Sequence, residues 1–212
     1  MFNVCHQCGV YHADKIIDPA GPYAICPACE HAHPFRALPL LLVGGASGTG
    51  KSTVCNALVG RVTSAVLLDC DILWCPAFDK PEDNFREFFE IWLRVSKNIG
   101  QSGRPVVLFG AGFGVPENIE ACIERRYFSS VSYLALTCDA DTLVSRLRAR
   151  PQWRANAADA FIKSQVSFNQ WFKDTGPTLN PPITLLDTTN ATLEETATQV
   201  QAAINHFLFT EN

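Results

Sequence analysis

The sequence lacks any apolar run of transmembrane length, and its first residues lack the basic and apolar regions of a signal peptide. It also lacks an excess of basic residues, because it contains 17 Lys and Arg and 21 Asp and Glu. This balance argues against broad nucleic-acid binding but leaves a local basic patch open. Charged residues make up 18% and hydrophobic residues 47%, which excludes a disordered chain. We expect a cytoplasmic protein with no membrane contact, one α/β domain and a small addition.

Cysteine is abundant, with nine residues, and disulfides are not expected in the cytoplasm. Four cysteines form two C-x2-C pairs, which are Cys5 with Cys8 and Cys26 with Cys29. This pattern is typical of a structural zinc site, because two tight turns direct four sulfurs to one ion. Residues 1–37 contain few large apolar side chains, so a metal could supply the missing stability. A redox dithiol pair and a rubredoxin-like iron site are the alternatives.

Nearby histidines are rival ligands, although the cysteine set is complete without them. These are His6, His12, His31 and His33. The remaining cysteines lie in or beside apolar segments and are predicted to be small core residues. These are Cys55, Cys70, Cys75, Cys122 and Cys138.

Residues 45–52 read Gly-Ala-Ser-Gly-Thr-Gly-Lys-Ser and fit the phosphate-binding pattern G-x-x-x-x-G-K-[ST]. An apolar run at 38–43 predicts a buried strand before the loop, and residues 52–62 predict a helix after it. Phosphates would then meet backbone N–H groups at a helix N-terminus. Lys51 is predicted to bind the β- and γ-phosphates and Ser52 to bind Mg²⁺. The loop residues predicted to hold ATP are Gly45, Ala46, Ser47, Gly48, Thr49, Gly50, Lys51, Ser52 and Thr53.

A second apolar run, residues 64–71, ends in Asp69 and Asp71. Ligands gather at the carboxyl ends of parallel strands, so both carboxylates should lie near the phosphate loop. One could help to hold Mg²⁺ through water, and the other could accept a proton from an attacking hydroxyl. Alternatively, either carboxylate only caps a helix.

Four arginines occur within nine residues of an acidic protein: Arg146, Arg148, Arg150 and Arg154. Pro151 should end the helix that carries the first of them. The planar, permanently charged guanidinium group suits phosphate. The pattern predicts an arginine-bearing segment over the nucleotide, and a solvated basic face is the alternative.

The order of these motifs resembles the P-loop kinases of small molecules. That group includes nucleoside and nucleotide kinases, with shikimate, gluconate and adenylylsulfate kinases and chloramphenicol phosphotransferase as relatives. The resemblance covers about residues 38–209. It implies that Asp71 activates the acceptor, that Arg146 and Arg150 lead into a lid, and that Asp187 and Thr188 flank the nucleotide base.

Two departures from the family pattern matter. The third strand ends in Phe109 and Gly110, where many nucleotide kinases have an aspartate, so metal handling would fall to Asp69 or Asp71. The N-terminal cysteines are not part of the kinase pattern and resemble a zinc ribbon, a module found in nucleic-acid and protein contacts alike. The guanine signature N-K-x-D is missing from the sequence, which favours ATP over GTP.

These patterns together predict an α/β protein with a mostly parallel five-stranded sheet of the P-loop type. A zinc-ribbon module at 1–37 would precede a kinase-like domain at 38–212. The expected cofactors are ATP, Mg²⁺ and Zn²⁺, with Lys51, Asp71, Arg146 and Arg150 as catalytic residues and Arg154 beside ATP. The expected acceptor is a small molecule, with a nucleoside or nucleotide favoured. The alternatives are an ATPase switch whose ribbon binds a protein or RNA, and an RNA-directed kinase.

Overall fold

The computed structural model describes residues 3–151 and 158–209. The strands are β1 (Ile16–Asp18), β2 (Tyr23–Ile25), β3 (Ala32–Pro34), β4 (Leu40–Gly44), β5 (Val66–Asp69), β6 (Val106–Phe109), β7 (Val131–Thr137) and β8 (Ile183–Asp187). The α-helices are α1 (Lys51–Ala57), α2 (Arg86–Gly100), α3 (Pro116–Glu120), α4 (Ala140–Arg148), α5 (Asp159–Thr175) and α6 (Leu193–Phe209). None of the described helices is long and apolar enough to cross a membrane.

The larger sheet has the strand order β5-β6-β4-β7-β8, and every pairing in it is parallel. Strands β4 and β6 are buried along their whole length, because helices cover both faces of the sheet. Val54 and Ile204 of α1 and α6 pack against one face. Trp92 and Phe172 of α2 and α5 pack against the other face. The predicted five-stranded α/β sheet is confirmed.

The helix predicted after the phosphate loop is shorter in the structure. Helix α1 ends at Ala57 rather than Val62, and Gly60 with φ of 80° lies in the turn that follows it. Helix α2 begins only at Arg86, because Asn84 and Phe85 just before it have φ of 54° and 57°. Such angles are left-handed and cannot continue a right-handed helix.

A capping box precedes the last helix. The Thr192 hydroxyl accepts a hydrogen bond from the Glu195 N–H at 3.2 Å, and the Glu195 carboxylate accepts from the Thr192 N–H at 2.8 Å. These bonds fix the start of α6 directly after β8.

The cysteine module (residues 3–37) contains the small antiparallel sheet β1-β2-β3. It packs on the α/β part of the chain through Phe35, whose ring meets that of Tyr127 at 5.8 Å between centroids. The Tyr127 hydroxyl also donates to the carbonyl of Ala13 at 2.5 Å. The module therefore lies against the 3-10 turn Ile123–Tyr127.

A buried ion-pair network extends this contact to α2. The Glu124 carboxylate, fully buried, accepts hydrogen bonds from Asn3 Nδ2 at 2.9 Å, from Arg94 Nε at 2.8 Å and from Lys97 Nζ. Lys97 also donates to Asn3 Oδ1 and lies 3.9 Å from the centre of the Tyr127 ring. Burial lowers the pKa of Lys97 to about 8, although Glu124 opposes that shift.

Candidate functional site

The phosphate loop joins β4 to α1 and has the backbone that its glycines predict. Gly45, Gly48 and Gly50 have φ of 127°, 97° and 103°. A Cβ on Gly45 would lie 2.3 Å from the carbonyl oxygen of Leu136. Glycine is therefore required at position 45 both by its backbone angle and by its contact with β7.

Lys51 lies at the first turn of α1 and folds back over the loop. Its Nζ donates to the carbonyl oxygens of Gly45 at 2.7 Å and of Ala46 at 2.9 Å. Burial lowers the pKa of Lys51 to about 8, and the nearby charge of Arg150 lowers it further. The negative charges of Asp71 and Asp69 and the thiol of Cys70 oppose that shift in pKa.

An open pocket of about 410 Å³ lies beside the loop. It is lined by Gly48, Thr49, Gly50, Lys51, Ser52, Thr53, Val54, Arg146, Arg150, Pro151, Thr188, Ala191, Leu193 and Thr196. A volume of this size is suited to a small-molecule ligand. Most of the predicted ATP-binding residues thus meet around one cavity.

Arg146 is held in this pocket by Thr188. Its guanidinium donates to the hydroxyl of Thr188 at 2.9 Å and to the carbonyl of Thr188 at 2.7 Å. The Thr188 N–H in turn donates to the carbonyl of Thr137 at 2.8 Å, which anchors the pair to β7. Arg148 instead faces Asp159 at 3.5 Å in an exposed contact, and Arg154 lies outside the described residues.

Asp187 does not line the pocket itself. Its carboxylate accepts from the N–H of Thr189 at 2.8 Å and from the hydroxyl of Thr189 at 2.5 Å, and these bonds lower the pKa of Asp187. The pocket instead includes Ala191, Leu193 and Thr196, which sequence reasoning missed. The capping box before α6 was the available signal, because it places the first turn of α6 next to the end of β8.

The two aspartates at the end of β5 have different surroundings. Asp69 accepts a hydrogen bond from the N–H of Asp71 at 3.0 Å, so it caps the 3-10 turn Cys70–Leu73. Asp71 is exposed, and the indole N–H of Trp92 fixes the same turn by donating to the carbonyl of Cys70 at 3.2 Å. Carboxylate oxygens of both aspartates and the Cys70 sulfur lie within 4.8 Å of one another. Such oxygens suit Mg²⁺ directly or through water.

The four N-terminal cysteines converge on one point. Their sulfurs all lie within 4.8 Å of one another, with Cys5 to Cys29 at 3.6 Å and Cys8 to Cys26 at 3.8 Å. Four sulfurs at 2.3 Å from one zinc ion would be about 3.8 Å apart in a tetrahedron, so the site fits zinc.

The two C-x2-C turns have matching backbone bonds. The Cys5 N–H donates to the carbonyl of Val10, and the Cys26 N–H donates to that of His31, each at 2.9 Å. His33 is buried with Nε2 3.3 Å from the Cys5 sulfur, so it contacts a ligand atom rather than completing the set. Burial opposes ionisation of the Cys5 thiol, but backbone N–H groups and His33 lower its pKa to about 5.

No family model and no curated protein matches this chain. Among solved structures, a gluconokinase from Sinorhizobium meliloti 1021 has 15% sequence identity, covers 84% of this chain and 100% of its own, and gives a TM-score of 0.56. The thymidylate kinase of Candida albicans has 16% sequence identity, covers 80% of this chain and 92% of its own, and gives a TM-score of 0.52. A shikimate kinase from Acinetobacter baumannii, solved with shikimate, has 19% sequence identity, covers 79% of this chain and 93% of its own, and gives a TM-score of 0.50. The chain therefore has the P-loop kinase fold, with about a fifth of its length unmatched.

Proposed function

We propose that this protein is a kinase that transfers the γ-phosphoryl group of ATP to a hydroxyl or phosphate group of a small acceptor. One observation carries the proposal. The phosphate loop, Lys51, Arg146 of α4 and Arg150 just after α4 surround one cavity, and the carboxylates at the end of β5 act on the same lysine. Three neighbours in fold are named as kinases of gluconate, thymidylate and shikimate, so the same framework serves different acceptors.

Each residue has a role that follows from its position. The loop N–H groups and Lys51 hold the phosphates, and Arg146 and Arg150 neutralise the charge that develops during transfer. Ser52 and Asp69 would hold Mg²⁺, which when bound offsets charge on the β- and γ-phosphates. Asp71 orients the acceptor hydroxyl and takes its proton.

The acceptor side supports a ring-bearing substrate, and we favour a nucleoside or nucleotide. Trp74 follows Asp71 by three residues and is 45% exposed. Phe88 supports its ring, with the two ring centroids 5.1 Å apart. A half-exposed indole beside the proposed base offers a flat surface for a ring to stack on.

For the cysteine module we propose a zinc-bound support that is built onto the kinase domain at 38–212. Asn3 of the module accepts a hydrogen bond from Lys97 of α2 and donates one to Glu124, and α2 fixes the turn of Asp71 through Trp92. Residues 1–37 contain two Lys and Arg against three Asp and Glu, which disfavours an RNA-binding arm. This balance argues against the RNA-directed kinase and for a structural role.

The assignment is tested by ATP consumption with a panel of nucleosides, nucleotides, sugars and RNA ends. Turnover should rise with one class of small acceptor. In Asp71→Asn it should fall by about 10²-fold with little change in ATP affinity. Asp69→Asn should instead weaken the response to Mg²⁺. Turnover that rises only with a macromolecule, with neither aspartate needed, would favour the ATPase switch.

A further inference from the structure

Gln165 of α5 contacts the phosphate loop through a side-chain hydrogen bond. Its Oε1 accepts a hydrogen bond from the N–H of Ser47 at 2.8 Å. The same peptide group carries the carbonyl of Ala46, which accepts from Lys51 Nζ at 2.9 Å. One peptide of the loop is therefore held at both ends, by the phosphate-binding lysine and by Gln165.

The placement of Gln165 is fixed by its neighbours on α5. Ile162, three residues earlier, packs with Ala46 and with Leu147 of α4. Asn169, four residues later, donates to the carbonyl of Cys138 at 2.8 Å and accepts from its N–H at 3.3 Å. These residues share one helix face, so the side of α5 that faces the loop is anchored on both sides of Gln165.

The orientation of the Gln165 amide follows from chemistry. A backbone N–H only donates, so the atom facing Ser47 must be the carbonyl oxygen of the side chain. An aliphatic side chain of the same length would leave the Ser47 N–H without this acceptor. Thr49 also donates to the Ala46 carbonyl, through its N–H at 3.3 Å and its hydroxyl at 3.0 Å. Loss of the Gln165 acceptor would therefore loosen the Ser47 end of this peptide and make the position of the Ala46 carbonyl, which Lys51 contacts, less well defined.

We propose that Gln165 is a positioning residue for nucleotide binding. It holds the Ala46–Ser47 peptide so that Lys51 is directed to the β- and γ-phosphates, and it links α5 to the phosphate loop. This inference rests on the proposed function only in that the loop binds ATP. Small displacements of a phosphate-binding group have large effects on binding and rate, which is why a single side-chain acceptor matters here.

The test compares Gln165→Met with Gln170→Met in the full-length protein. Gln170 lies on the same helix, is exposed, and donates to Asp174 at 2.8 Å, so it controls for the same substitution. Gln165→Met should speed amide exchange of residues 44–50 in nucleotide-free protein by up to about tenfold. It should also weaken binding of a non-hydrolysable ATP analogue by about tenfold, whereas Gln170→Met should change neither. Gln165→Glu retains an acceptor and should restore slow exchange at Ser47.

Unchanged exchange in Gln165→Met, or faster exchange with unchanged affinity for the analogue, would overturn the proposal. Failure of the proposed kinase activity has a different signature. In that case the wild type would bind the analogue, with Gln165→Met weakened, but no acceptor in the panel would be phosphorylated. The binding and exchange measurements thus judge Gln165 independently of turnover.

Discussion

Replacing Glu124 by glutamine is expected to lower the free energy of unfolding by about 3–5 kcal/mol at pH 7. The substitution keeps the shape of the side chain but removes the counter-ion of Lys97. The side chains of Glu124 and Lys97 are 0% and 1% exposed, so water cannot replace the lost partner.

The magnitude follows from two contributions. Without Glu124 the pKa of Lys97 should fall below 7 and the side chain should deprotonate, which costs about 5 kcal/mol for an ordinary lysine at pH 7. The wild type already bears about 3 kcal/mol of this cost, because its Lys97 has a pKa of about 8 instead of 10.5. Only the remainder, about 1–2 kcal/mol, distinguishes the variant from the wild type. Loss of the charge-assisted bonds from Arg94 and Asn3 adds about 1.5–3 kcal/mol.

The pH dependence has a definite sign. The pKa of Lys97 is lower in the folded state, so the unfolded chain binds more protons between pH 8 and 10.5. The Lys97 penalty is therefore complete below pH 8 and declines as pH rises. At pH 9 the wild-type lysine is already mostly neutral, so the difference between wild type and Glu124→Gln should shrink by about 1–2 kcal/mol.

Urea unfolding at pH 7 and pH 9, with constant m, measures both effects. Glu194→Gln is the control, because its ion pair with Arg61 is exposed and should contribute little. Adding Lys97→Met to Glu124→Gln should restore part of the lost stability, since the buried ammonium group is removed. A loss below about 1 kcal/mol in Glu124→Gln at pH 7 would refute this account of the network.

Three further predictions concern the nucleotide and the metal. The pKa of Lys51 is about 8 in the free protein, and bound phosphates should raise it. Binding of an ATP analogue near pH 9 should therefore be accompanied by the uptake of a proton, and the affinity for the analogue should fall as the pH rises above 8. Calorimetry in buffers of different ionisation enthalpy measures this uptake, and Lys51→Met should abolish it. Elemental analysis of protein purified without added metal should find one zinc per chain, whereas iron or four titratable thiols would contradict the zinc assignment. Binding of the analogue should protect residues 140–151 from hydrogen exchange, and unchanged exchange would show that this segment does not close over the nucleotide.

Local chemistry made the phosphate loop and the cysteine turns predictable. In both, backbone hydrogen bonds join residues only a few positions apart in the sequence. Examples are the bond from the Cys5 N–H to the Val10 carbonyl and the bond from the Thr49 N–H to the Ala46 carbonyl. The residue types at fixed spacing, glycines in the loop and paired cysteines in the turns, then determine the local backbone conformation. Apolar runs likewise predicted the strands of the parallel sheet, because burial on both faces requires them.

Helix ends were less predictable, because a single backbone angle decides them. Phe85 reads as a helical residue by hydrophobic pattern, yet its left-handed angle starts α2 one residue later. Leu193 belongs to an apolar helix face by pattern but is 47% exposed, since it lines the pocket. Periodicity reports which side of a helix is apolar and not what that side faces.

Residues distant in the chain meet only through the fold. Asn3 and Glu124 are 121 residues apart and Ser47 and Gln165 are 118 apart, yet each pair forms a hydrogen bond. No repeat or spacing marks these residues, because their partners are chosen by how α2 and α5 pack on the sheet. The sequence by itself determined the phosphate loop, the four-cysteine cluster and the sheet. The tertiary structure decided which side chains hold them in place, because long-range contacts depend on packing rather than on local backbone geometry.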